Sequence, residues 1–166
     1  MGTNSKLAIV ALSLIASCHN GSSVDDGDAG RLSHLVRQYR KDEPMSKLRS
    51  ILVVTEESCP TCNKSFALLV DNYLEDSTSL VWVSATGSMV DITPFRSKPD
   101  RVVWDYGDSL QALGIIHGSG AIFLEGGRSD TVVQLDARNL ENSLTFVANR
   151  MDAGPIVPAN GVNKGI

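Results

Sequence analysis

Hydrophobic residues along the chain follow two spacings in turn, and this alternation predicts an α/β domain. The continuous apolar run at 51–54 is typical of a strand buried on both faces of a sheet, and a second β-rich run follows at 80–84. Between the two runs, apolar residues recur three and four positions apart, which predicts a helix over residues 60–76. Pro60 suits the first helical position, because the N–H group that proline lacks would be unpaired there. A strand, a helix and a strand of these lengths form a βαβ unit.

The rest of the chain adds further helices and an antiparallel hairpin. The pattern predicts a helix over 31–40 that packs on the sheet, a strand or extended segment at 101–105, a brief helix at 109–113 ending at Gly114, strands at 121–124 and 131–135 joined through 126–129, and a final helix over 137–151. Residues 85–100 are left unassigned. Trp82 and Trp104 fit the sheet and are expected in the core. The expected fold class is α/β, with a mixed central sheet and flanking helices.

The first 18 residues have the pattern of an export signal. Lys6 precedes a largely apolar run of ten residues at 7–16, about half the length that a membrane-spanning helix needs. The stretch Ile15-Ala16-Ser17-Cys18 resembles the bacterial lipobox, in which the cysteine becomes the first residue and carries acyl chains. This resemblance implies an extracytoplasmic lipoprotein, periplasmic or at the cell surface, that is anchored to a membrane through Cys18. A plain secretory signal, with Cys18 incidental, is the alternative.

Length and composition predict a single folded domain. Residues 1–17 are expected to be a signal peptide, 18–30 a flexible tether rich in Gly, Ser and Asp, 31–151 the folded domain and 152–166 a disordered tail. The 166-residue chain is 42% hydrophobic and 20% charged, as ordinary globular proteins are. Its formal net charge is −4 and its Lys and Arg residues are scattered, which argues against nucleic-acid binding. We expect a monomer.

Cys59 and Cys62 lie where the first strand gives way to a helix, and this position favours thiol chemistry. The thiolate is the reactive form, and a free cysteine with a pKa of about 8.5 is only a few per cent thiolate at pH 7. Unpaired N–H groups and the positive end of the helix dipole favour an anion at Cys59. Cys62 turns to the same side of the helix, within disulfide reach, so we expect Cys59 to attack and Cys62 to resolve. Pro60 and Thr61 stiffen the spacer between them.

Two other interpretations of the cysteine pair stay open. A zinc site needs four ligands, and only His19, His34 and His117 are available beside the cysteines. An inert structural disulfide is also compatible with export, because exported compartments oxidise thiols. A haem attachment site is excluded, because Asn63 rather than histidine follows the second cysteine. Our assignment is a redox-active disulfide with no metal and no further cofactor.

Three segments together resemble the thioredoxin-like superfamily, and within it the membrane-tethered branch related to TlpA and to peroxiredoxins. They are the strand at 51–54, the motif Cys59-Pro60-Thr61-Cys62 at a helix start, and the stretch 105–124. In that stretch Leu113-Gly114-Ile115 is similar to a family motif that precedes the substrate-facing loop. The resemblance covers about residues 46–150 and implies a three-layer sandwich around a mixed sheet. It also implies a thiol-disulfide oxidoreductase that acts on exported thiol or disulfide proteins together with a redox partner.

Two departures from the family pattern lie beside the cysteines. The family carries a cis-proline in the substrate-facing loop, which the resemblance places here at Ser119, Gly120 and Ala121. A non-proline cis bond costs about 3 kcal/mol or more, so we expect a trans bond and a different loop shape. The family's tryptophan before the first cysteine is replaced by Glu56-Glu57-Ser58, whose carboxylates would oppose thiolate formation.

These departures keep a second function open. The chain would then be a non-catalytic thioredoxin-fold lipoprotein that binds a partner or a metal, with the cysteine pair a structural disulfide. A wider space beside the sulfurs would suit a metal in that case. His117 lies in the same loop and is a candidate to approach the sulfurs.

Overall fold

Five strands and four helices form within residues 26–57 and 59–154, the part of the chain that the computed structural model describes. The helices are α1 (Asp26–Tyr39), α2 (Pro60–Asp71), α3 (Thr93–Arg96) and α4 (Leu140–Asp152). The strands are β1 (Ser50–Thr55), β2 (Ser79–Ser84), β3 (Val102–Trp104), β4 (Gly120–Glu125) and β5 (Arg128–Gln134). Short 3-10 turns occur at Met45–Lys47 and Gln111–Leu113.

The strands form one mixed sheet in the order β3-β2-β1-β4-β5. β1 pairs with β2, and β2 with β3, in the parallel direction, whereas β4 is antiparallel to both β1 and β5. The carboxyl ends of β1, β2 and β3 therefore lie at the same end of the sheet as the amino end of β4. The predicted α/β class with a mixed sheet is confirmed.

Helices cover both faces of the sheet, which explains why every residue of β1 is buried. Alternate residues of a strand point to opposite faces, so Leu52 and Val54 pack on one side of the sheet, and Ile51 and Val53 on the other. The first side is covered by α2 and α4 and the second by α1, whose Leu32, Leu35 and Val36 are buried there. The predicted packing of the first helix on the sheet is confirmed.

A buried carboxylate, that of Asp105, ties several of these elements together just after β3. It accepts hydrogen bonds from the indole N–H of Trp82 at 2.8 Å, the amide of Leu110 at 3.0 Å and the hydroxyl of Tyr39 at 3.2 Å. Burial alone would raise the pKa of Asp105, but the hydrogen bonds it accepts, first those of the Ser109 and Leu110 amides, outweigh burial and lower it. Trp82 is fully buried, as its assignment to the core predicts.

Two helix boundaries differ from the predictions. α1 begins at Asp26, so residues 26–30, which the sequence assigns to the tether, belong to a helix. α2 ends at Asp71 rather than at 76, and residues 72–75 continue as turns. The amides of Tyr73 and Leu74 bond the carbonyls three residues earlier, and Leu74 stays buried, so the apolar spacing continues past the helix end.

The carboxyl-terminal half also differs in detail. The hairpin turn is the pair Gly126-Gly127, with φ of 58° and 85°, which only glycine adopts readily. Arg128 and Ser129, predicted to be part of the connection, already pair with β4. α4 begins at Leu140 rather than at 137, because Asp136 forms a turn with the amides just after it. Gly114, with φ of 75°, ends the 3-10 turn at Gln111–Leu113 where a helix end was predicted.

The amino-terminal predictions lie outside the described residues. The signal peptide, the lipidated Cys18 and most of the tether fall within 1–25, and most of the tail within 155–166. Within the described residues, no helix has both the length and the apolar character needed to cross a membrane.

Candidate functional site

Cys59 and Cys62 are joined by a disulfide bond at the point where β1 leads into α2. β1 ends at Thr55, Cys59 is the residue that caps the amino end of α2, and Pro60 is the first residue inside the helix. Cys62 lies in the first turn, and the Cα atoms of the two cysteines are 5.1 Å apart. The predicted position of the pair at a strand-to-helix junction is confirmed.

The two sulfurs differ in their access to solvent. Cys59 is half-buried, whereas Cys62 has an exposed fraction of 0% and packs in the apolar cluster with Phe66 and Val70. An incoming sulfur therefore reaches Cys59 and not Cys62. That the first cysteine attacks and the second resolves stays a prediction, and it requires access to the first sulfur.

The sulfur of Cys59 acts as the cap of α2. The backbone of Cys59 is non-helical, with φ of −54° and ψ of 127°, and its Sγ accepts the amide N–H of Cys62 at 3.1 Å. Its carbonyl accepts the N–H of Asn63 at 3.0 Å. When the disulfide opens, a thiolate at Cys59 keeps a hydrogen-bond donor and the positive end of the helix dipole beside it, and both favour the anion.

A buried polar network connects α2 with the amino end of β4. The hydroxyl oxygen of Ser119 lies 2.8 Å from Oδ1 of Asn63 and 3.1 Å from the amide nitrogen of Thr55. It also lies 3.2 Å from the carbonyl oxygen of Thr55. All three residues have an exposed fraction of 0%. The residue after the second cysteine is therefore joined to the end of β1 through Ser119.

The predicted substrate-facing loop is shorter than expected. Gly120 and Ala121 are the first residues of β4, paired with β1, so only Ser119 precedes the strand. Ser119 and Ala121 are fully buried, and the carbonyl of Ser119 accepts the amide of Leu135 at 2.9 Å. All peptide bonds of the described residues are trans, as the absence of proline here predicts.

Glu56 points to the neighbouring loop that follows β2. Its carboxylate accepts five hydrogen bonds from residues 86–90: from the amides of Thr86, Met89 and Val90 and from the hydroxyls of Thr86 and Ser88. Partial burial would raise the pKa of Glu56, but these bonds, with the Met89 amide foremost, outweigh it and lower the pKa to about 2. Glu56 is therefore ionised at neutral pH, with its carboxylate directed to this loop, and Glu57 is exposed.

Within the described residues, His34, His117 and Trp104 make no polar contact with the sulfurs of Cys59 and Cys62. His117 is exposed, and its amide donates to the side-chain oxygen of Gln134 at 3.1 Å. His34 is exposed on α1, and His19 lies outside the described residues. The described part of the chain contains no cluster of three or more His, Cys, Asp or Glu residues with which to hold a metal. Trp104 packs on the core but also stacks on the exposed Tyr106, with ring centroids 6.1 Å apart.

Asn63 is a residue of this site that the sequence analysis did not assign. A signal for it exists, since Asn63 lies on the same helical stripe as Phe66, Ala67 and Val70, all of them buried. An amide side chain on an otherwise apolar stripe must find a buried partner. The identity of that partner, Ser119, depends on the strand order.

Comparison with protein-family models, with curated proteins and with solved structures finds no significant match to this chain.

Proposed function

We propose that this chain is a thiol-disulfide oxidoreductase of thioredoxin-like fold, held at the outer side of a membrane by a lipid anchor on Cys18. Cys59 is the nucleophile and Cys62 the resolving cysteine. Its substrates are exported proteins that carry thiols or disulfides, and a second redox protein restores its own oxidation state. The single observation that carries the proposal is the position of the Cys59 sulfur, which belongs to a half-buried residue, caps α2 and accepts the Cys62 amide N–H at 3.1 Å.

The exchange proceeds in two steps that balance in electrons and protons. The Cys59 thiolate attacks one sulfur of a substrate disulfide, a mixed disulfide forms, and the other substrate sulfur leaves as a thiolate that takes up a proton. Cys62 then loses its proton and attacks the Cys59 sulfur, which releases the second substrate thiol. The substrate gains two electrons and two protons, one released to solvent when Cys59 ionises and one given up by Cys62, and the Cys59–Cys62 disulfide forms. The same steps in reverse oxidise a substrate dithiol.

The arrangement of the elements supports the thioredoxin-like part of the proposal. The cysteine motif follows the central strand β1, whose neighbours are the parallel β2 and the antiparallel β4. α2, which carries the motif, packs on the same face of the sheet as α4. The amino end of β4 lies beside the motif through the contact between Ser119 and Asn63.

Two observations favour a second candidate function, a binding module with an inert crosslink. Cys62 is fully buried among apolar side chains, where a disulfide stabilises the fold, and Ser119 rather than proline precedes β4. In that case the bond would not exchange with other proteins. The two candidates differ in whether Cys59 forms mixed disulfides.

Trapping of partners on Cys59 tests the proposal. Cys62→Ala removes the resolving thiol, so we expect mixed disulfides with exported proteins to accumulate on Cys59 and to disappear on reduction. Cys59→Ala is the matched control, because its remaining thiol at Cys62 is buried and should capture little. Non-reducing gels followed by mass spectrometry of the captured proteins give the readout. Capture by Cys62→Ala that is no greater than capture by Cys59→Ala would contradict the proposal, and absence of capture by both variants would favour the inert crosslink.

A further inference from the structure

We infer that Ser119 is a positioning residue for the second cysteine: its hydroxyl, acting through Asn63, keeps Cys62 in place for disulfide formation. The inference rests on the proposed exchange chemistry, since it concerns how readily the bond between Cys59 and Cys62 closes. It assigns a role to a residue that touches neither sulfur in the contacts described above.

The hydroxyl of Ser119 joins three parts of the site. It accepts the Thr55 amide at 3.1 Å and donates its one proton to Oδ1 of Asn63 at 2.8 Å or to the Thr55 carbonyl at 3.2 Å. Because all three residues are fully buried, water does not compete for these bonds. The end of β1, the start of β4 and the first turn of α2 are thus fixed to one another.

The link to Cys62 follows from its position next to Asn63. When the disulfide is reduced, the two sulfurs separate from bonding distance to van der Waals contact, through rotation of the two side chains, a shift of the first turn of α2, or both. The bond between Asn63 and Ser119 resists this shift at the next residue. It therefore favours the closed disulfide over the open dithiol, because a preorganised pair of thiols loses less conformational freedom on bonding.

The structure provides a matched control on the same strand. Ser50, at the other end of β1, is also fully buried, and its hydroxyl lies 2.8 Å from that of Ser79. Ser50→Ala removes a buried serine hydroxyl just as Ser119→Ala does, but far along β1 from the cysteine pair. Both variants should lower the urea midpoint of the oxidised protein by similar amounts.

The experiment measures the reduction potential of the disulfide in each purified variant, in glutathione and dithiothreitol redox buffers. For Ser119→Ala we expect the equilibrium constant for disulfide formation to fall about fivefold. The reduction potential then becomes ~20 mV less negative. Asn63→Ala should shift it in the same direction and serves as the test if Ser119→Ala does not fold. In the double variant the equilibrium constant for disulfide formation should fall no further than in the more strongly affected single variant, because both residues belong to one network. Ser50→Ala should match the wild type.

A potential for Ser119→Ala or Asn63→Ala that equals those of the wild type and Ser50→Ala would overturn the inference. The outcome is distinguishable from failure of the proposed function. If the reduction potential shifts but Cys62→Ala captures no partners, the positioning role of Ser119 stands and the proposed exchange with proteins is contradicted. If Cys62→Ala captures partners but the reduction potential does not shift, the proposed function stands and the positioning role of Ser119 is contradicted.

Discussion

Gly120 is a residue whose replacement the surrounding backbone does not accommodate. A Cβ atom at this position would lie 2.0 Å from the carbonyl oxygen of Val133 and 3.0 Å from its carbonyl carbon, both in the backbone of β5. No rotamer change relieves such a contact, because the atoms it meets are not part of a side chain. β4 and β5 would have to separate at the end of the sheet that carries the disulfide.

We therefore expect Gly120→Ala to lower the free energy of unfolding by about 3 kcal/mol, as overpacking at a rigid site does. Gly30→Ala is the control, because a Cβ there meets no atom within 4 Å and alanine favours a helix over glycine by about 1 kcal/mol. Urea unfolding of the oxidised protein measures the free energy of unfolding of both variants. A Gly120→Ala variant as stable as the wild type would show that β5 moves aside freely.

Single residues of the site were predictable to different degrees. The position of Cys59 and Cys62 was predictable from local features, a strand end, a proline and a helix start, and the structure places both cysteines as these features predict. Ser119 is different, because a serine between Gly118 and Gly120 has no pattern that indicates burial. Its partners lie 64 and 56 residues away along the chain, and only the sheet brings them together.

At the scale of elements, the loop at 86–90 is held by one carboxylate on the neighbouring strand end. The five hydrogen bonds to Glu56 satisfy three backbone amides of a segment with no regular structure of its own. Such bonds are stronger when the acceptor is charged. The loop should therefore be ordered while Glu56 is ionised and loosen when Glu56 is protonated.

Glu56→Gln should make the Met89 amide exchange its hydrogen about fivefold faster at pH 7, equivalent to about 1 kcal/mol. The folded pKa of Glu56, about 2, lies below its ordinary value of 4.5. Its contribution to stability is therefore fully present above about pH 4.5 and is lost as the pH falls towards 2. The difference in Met89 amide exchange between the wild type and Glu56→Gln should shrink as the pH falls from about 4.5 to 2.

Glu57→Gln is the control for this comparison, because Glu57 is the exposed neighbour of Glu56. Hydrogen exchange followed by NMR or mass spectrometry at several pH values gives the readout. Equal protection of Met89 in the Glu56→Gln and Glu57→Gln variants would show that the carboxylate does not hold the loop.

The elements themselves were largely predictable, and their ends were not. The spacing of apolar residues along the chain reports which residues are buried. Burial continues past the point where helical hydrogen bonds stop, so the spacing does not locate the end of a helix. Leu74 shows this, since it is buried in a turn after α2. α1 shows the opposite case, because its first residues are polar and glycine-rich, yet they continue a helix that packs through Leu32 and Val36.

At the scale of the whole molecule, the site is a product of strand order. β1, β2 and β3 end where β4 begins, so segments from four parts of the chain meet at one end of the sheet. The α/β class was predictable from the alternation of patterns. The network of Thr55, Asn63 and Ser119 was not, because no local rule specifies which strand lies beside β1.

The role of Cys59 as the nucleophile is tested by the pH dependence of thiol alkylation in the reduced, folded protein, followed residue by residue by mass spectrometry. We expect Cys59 to react first, with a pKa below that of a free cysteine, about 8.5, because α2 stabilises its thiolate. Cys62 should stay unmodified until the protein unfolds, because it is fully buried. A Cys59 that titrates like a free cysteine or above it, or a Cys62 that reacts equally fast, would contradict the account.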